Sequence, residues 1–130
     1  MFRSILCCSL FLLLLYFSAC SPETIVKDED DAGSTCIMNS KDTLQIELTS
    51  NPTTGYEWKI DSLNRTVLKM TGKRYIPDKV PAHTAGAGGK SVFHFTAIDK
   101  GSAQIKLMYH RPFEKDKEPV KTFVIEVKVR

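Results

Sequence analysis

The chain is predicted to fold as an all-β, immunoglobulin-like β-sandwich of about seven or eight strands, preceded by a signal peptide and a flexible tether. Three observations lead there. From Cys36 onward, apolar residues recur with a period of two and not 3.6. The apolar runs are short, and segments rich in Pro, Gly, Asn and Thr separate them. No amphipathic helix of useful length can be drawn in residues 36–130.

The first element is an export signal over residues 1–19. Arg3 is the only charge before Glu23, and Ile5 to Phe17 is almost wholly apolar. That run falls short of the ~20 residues a membrane-spanning helix needs. A positive start, a short apolar core and small residues at its end favour a signal over a transmembrane anchor or a buried helix. Phe17-Ser18-Ala19-Cys20 resembles the lipobox of bacterial lipoproteins, with Phe17 where Leu is usual. The resemblance implies cleavage before Cys20, a lipid on that cysteine and a cell-envelope location. Ordinary cleavage nearby would give a periplasmic or secreted protein instead. Cys7 and Cys8 leave with the signal, so Cys36 is the one cysteine left besides Cys20. An internal disulfide is then not expected. Cys36 lacks a recognisable cysteine-enzyme signature and is read as a structural thiol.

Residues 20–35 read as a flexible acidic tether. Pro22, Gly33, Ser34 and the run Asp28-Glu29-Asp30-Asp31 do not bury themselves. Such a segment would reach roughly 50 Å when extended and roughly 20 Å as a coil.

Residues 36–130 form the folded domain. Leu44, Ile46 and Leu48 alternate with Gln45, Glu47 and Thr49; Tyr56, Trp58 and Ile60 alternate with Glu57 and Lys59. Residues 67–71 alternate less clearly. Phe93, Phe95 and Ala97, then Ala103, Ile105, Leu107 and Tyr109, then Phe123, Ile125, Val127 and Val129 complete the set. Each run has the pattern of a half-buried strand.

Three connections are richer than a turn requires. Asn51-Pro52-Thr53-Thr54-Gly55 has an Asn that bonds its own downstream backbone, a φ-fixing Pro and a Gly free to take positive φ. On these grounds alone it is also simply a well-made interstrand turn. The second connection, Ile76 to Lys90, contains Gly86-Ala87-Gly88-Gly89 and exceeds ordinary hairpin length. Its glycines do not make a phosphate loop, because a strand pattern and not a helix follows Lys90-Ser91. The third holds Arg111-Pro112-Phe113, an Arg and an aromatic ring beside a Pro, as binding anchors often are. Alone, it is better read as an exposed arginine and a partly buried phenylalanine at a hairpin end. In a sandwich of this kind, loops at one end gather in space, so the three are expected to form one binding surface.

Asn51-Pro52-Thr53-Thr54-Gly55-Tyr56, Gly86-Ala87-Gly88-Gly89 and Arg111-Pro112-Phe113 resemble, in order and spacing, the three signature loops of the chagasin family. The resemblance covers about Thr43 to Arg130, and Trp58 fits it too. It implies a reversible inhibitor of papain-like cysteine proteases that blocks the active-site cleft. Thr53 and Thr54 would sit over the protease's Cys–His pair. Gly86 to Gly89 would line one side of the cleft, and Arg111 and Phe113 would hold the other. Phe113 stands where many relatives have Trp, with less surface and no indole donor.

The remaining expectations are negative. Removing residues 1–19 lowers the formal charge from +3 to +2, too mild and mixed to imply nucleic acid. His83, His94, His110 and Cys36 lack metal-ligand spacing, and no cofactor is expected. No nucleophile elbow or paired carboxylates mark an enzyme. The expected partners are a papain-like protease and, through Cys20, a membrane; the protein itself is expected to be a monomer. The competing reading is a lipid-anchored binding or adhesion module with the same strands and no inhibitory activity.

Overall fold

The computed structural model describes residues 20–130. The expected signal over residues 1–19 lies outside the described residues. Among the described residues, eight strands form two four-stranded sheets: β1 (Thr24–Lys27), β2 (Thr35–Met38), β3 (Thr43–Ser50), β4 (Glu57–Leu63), β5 (Leu68–Pro77), β6 (Gly89–Ala97), β7 (Gly101–His110) and β8 (Lys121–Val129). One sheet has the order β1-β3-β6-β5 and the other β2-β8-β7-β4. This is the predicted all-β sandwich.

Alternation does what the pattern requires. Leu44, Ile46 and Leu48 point inward with Phe93 and Phe95, while Gln45 and Glu47 face out. Trp58, Ile105, Leu107, Phe123 and Ile125 close the core from the other sheet. Each such side chain contributes about 1.5–3 kcal/mol on burial. Cys36 lies in this core, and burial pushes its thiol pKa up, as befits a structural and not a reactive cysteine.

Two strands differ from expectation. β5 continues past residue 71 to Pro77, with a register shift between Met70 and Gly72. As an edge strand it leaves nearly all of Lys69 to Pro77 exposed on both faces, so no apolar alternation marks it. The connection to β6 therefore shrinks to Asp78–Gly88, closed by a bond from Asp78 N to Gly88 O of 2.9 Å.

The tether expected over residues 20–35 is largely folded, so the domain starts near Glu23 and not at Cys36. Thr24–Lys27 pairs in parallel with Thr43–Ile46. Glu29–Asp31 forms a 3-10 turn inside a capping box, with Asp28 accepting from Asp30 N and Asp31 accepting from Asp28 N. The acidic run caps and pairs locally, including Lys27 to Asp31 at 2.9 Å. The buried Asp42 carboxylate takes the N–H groups of Glu23 (2.9 Å) and Asn39 (2.8 Å). Those two bonds, Glu23's first, hold its pKa below the usual aspartate value.

Register fixes the two poles. Ser50 faces Gly89, Gly89 faces Pro77, and Tyr109 faces Lys121 at one end. Thr43 faces both Thr24 and Thr96 at the other. The chain thus enters the sandwich opposite the β3–β4, β5–β6 and β7–β8 connections.

Candidate functional site

Those three connections carry every residue predicted for the binding surface except Gly89, the first residue of β6; Cys20, predicted to carry lipid, is exposed. Pro52–Thr54 is a single 3-10 turn capped by Asn51. Asn51 Oδ1 accepts from Thr53 N (3.2 Å) and Thr53 Oγ1 (2.6 Å), and Asn51 O accepts from Thr54 Oγ1 (2.6 Å). Gly55 closes the turn at φ 80°, the left-handed conformation its residue type was expected to supply. The loop is stiff because both threonine hydroxyls bond inward.

The other loops are joined to it. Asn51 Nδ2 donates to Gly86 O at 3.0 Å. Arg111 Nε donates to Thr54 O at 3.1 Å, and its Nη1 pairs with Glu114 at 3.3 Å. The Arg111 guanidinium lies 4.4 Å from the Tyr56 ring centroid, a cation–π distance. The edge of the Phe113 ring stands over Gly55.

Aromatic rings support the ridge from below. Tyr56 stacks on Tyr109 at 5.3 Å, and Tyr109 tilts against Trp58 at 5.0 Å. The Tyr109 hydroxyl accepts from Asn51 N at 3.0 Å, and Trp58 Nε1 donates to Thr49 O at 2.9 Å. Sequence reasoning placed Tyr109 and Trp58 in strands and missed these bonds, since nothing local marks a hydroxyl that reaches across 58 positions.

Exposure divides the candidates. Pro52, Thr53, Thr54, Gly86 and Pro112 are exposed, and Phe113 is 69% exposed, unusual for so large an apolar ring. Asn51, Gly55, Ala87, Gly88 and Arg111 are half-buried. Tyr56 is half-buried beneath Arg111, and Gly89 is buried within β6. Tyr56 thus lies under the guanidinium, and Gly89 forms the base of the second loop. The result is an exposed ridge of small, hydroxyl and aromatic groups. Among the described residues, no group of three or more His, Cys, Asp or Glu could hold a metal. A stiff ridge that loses little entropy on docking suits insertion into a groove.

The model of the family described as chagasin family peptidase inhibitor I42 matches residues 38–127, a span holding all three loops. The chain belongs to the chagasin family. It is 32% identical to amoebiasin-1 of Entamoeba histolytica over 105 residues, 78% of this chain and 96% of that protein. To chagasin of Trypanosoma cruzi it is 30% identical over 101 residues, 74% of this chain and 89% of that one. A crystal structure of a cysteine protease inhibitor from Entamoeba histolytica superposes with a TM-score of 0.76 at 26% identity, covering 83% of this chain and 96% of the other. Within this chagasin-family chain, the matched span leaves out β1 and the 3-10 turn that follows it.

Proposed function

We propose that the protein is a reversible inhibitor of papain-like cysteine proteases that fills the active-site cleft with the ridge formed by residues 51–55, 86–88 and 111–113. The observation that carries this reading is the joining of the three family loops into one exposed edge by Asn51, Arg111 and Tyr109. Chagasin-family relatives, one of them solved as a cysteine protease inhibitor, favour it over a non-inhibitory adhesion module. The turn at Thr53–Thr54 occludes the protease's catalytic pair, and the flanking loops supply grip. No covalent step is required, and a monomer suffices.

Phe113 is the grip residue with the most to bury. Inhibition of papain by Phe113→Ala is expected to fall about thirtyfold, roughly 2 kcal/mol, as for an aromatic anchor. The loss should appear mainly as faster dissociation. Unchanged inhibition would place the contact surface elsewhere.

We also propose that Cys20 carries a lipid that holds the domain at a membrane. Its thiol is exposed and lies ahead of the first strand. Cys20→Ser should move the protein from the membrane to the soluble fraction. A parent protein that is already soluble excludes the anchor.

A further inference from the structure

The last residues of β3 lead directly into the inhibitory turn, and one side of them has no neighbouring strand. β1 pairs with β3 only through Ile46. Beyond that point the outward backbone groups of β3 need other partners. Trp58 Nε1 takes Thr49 O and Tyr109 Oη takes Asn51 N, both from the core. The third partner is Glu29. Its carboxylate accepts from Thr49 N at 3.0 Å and from Thr49 Oγ1 at 3.3 Å.

Glu29 is held for this task. Residues 28–34 form a strap that carries the chain from one sheet to the other beside the root of the turn. The capping box stiffens one end. Bonds from Gly33 N to Val124 O (2.7 Å) and from Glu126 N to Ser34 O (3.0 Å) fasten the other to β8. Glu29 and Ala32 of the strap border an open surface cleft of about 370 Å³ that Leu48, Trp58 and Phe123 also line.

We propose that Glu29 is a positioning residue for the inhibitory turn: it clamps Thr49 and so sets the placement of residues 51–55 without touching the protease. The proposal rests on the inhibitor reading above, and its effect is modest because Thr49 is exposed and water can replace a lost bond.

The test compares Glu29→Ala and Glu29→Gln with the parent by inhibition of papain, amide hydrogen exchange and thermal melting. Glu29→Ala should weaken inhibition about five- to tenfold and speed exchange at Thr49 and at Thr53–Gly55 by a similar factor. Glu29→Gln should restore both, because its amide oxygen still accepts from Thr49 N and its NH2 can donate to the hydroxyl. Unchanged exchange in Glu29→Ala overturns the proposal whatever happens to inhibition. So does exchange that rises equally across β3 and β6, which marks general loosening. A Gln variant as impaired as the Ala variant also overturns it, by pointing to charge in place of the clamp. If the parent fails to inhibit papain, the functional reading falls, and the exchange data alone decide the clamp.

Discussion

Replacing Gly55 with valine is expected to weaken inhibition of papain about a hundredfold, close to 2.7 kcal/mol, while leaving the sandwich folded. Gly55 sits at φ 80°, where an L-residue costs about 1–2 kcal/mol and a β-branched one more. A Cβ there would also lie 3.2 Å from Phe113 Cε1, so the ring must move. The turn then relaxes to a different shape in the free protein. Binding must either recover the strained geometry or forgo both the turn's placement and the ring's grip. The core contacts are untouched, so the melt should fall by no more than about 10 °C and the sandwich should stay folded. Inhibition within threefold of the parent would show that residues 51–55 are not the occluding element.

Gly89→Ala is expected to damage both stability and inhibition. A Cβ at Gly89 would collide with Ile76 O, and would lie 2.7 Å from Tyr75 Oη and 2.8 Å from Pro77 Cα. The tyrosine can swing away, but the β5 backbone cannot without breaking the pairing of Pro77 with Gly89. Forced overpacking of this kind costs about 1–3 kcal/mol. For a domain of this size that lowers the melting temperature by roughly 5–15 °C. The shifted strand end also carries Gly88, where an added Cβ would meet Ser50 O and Asn51 Cβ, so the inhibitory turn is disturbed with it. An unchanged melt would mean that β5 and β6 separate here at no cost, contrary to the packing described.

These two glycines also mark how far the sequence could be read. Gly55 follows a Pro-Thr-Thr turn, and its conformational role was evident from that neighbourhood. Gly89 appeared equivalent to Gly86 and Gly88 in one glycine-rich run, yet a strand partner makes it part of the sheet. The strands with strict alternation, such as Leu44–Leu48 and Phe123–Val129, were legible because one face is buried and the other is not. Thr24–Lys27 was not, since its partner is β3 and its N-terminal bond is to Asp42, 19 residues from Glu23. Composition around it is acidic and polar, which describes a tether equally well. The three loops stood out by residue type, while the bonds that unite them, from Arg111 to Thr54 and Asn51 to Gly86, exist only after folding. Glu29 carried no signal at all, because a clamp across 20 positions has no local pattern.

The entry point of the chain determines how the domain would be presented. Thr24 lies beside Thr43, at the foot of a strand whose head is Ser50. Along β3 that foot-to-head rise is about 23 Å, at ~3.3 Å per residue. Three residues separate Cys20 from Thr24, a leash of roughly 14 Å at full stretch. A lipid on Cys20 would therefore hold that foot close to the bilayer and leave the three loops at the far end of the strand. Proteases arriving from the surrounding fluid would meet the tip first, and no long spacer would be needed to keep the lipid surface out of their way.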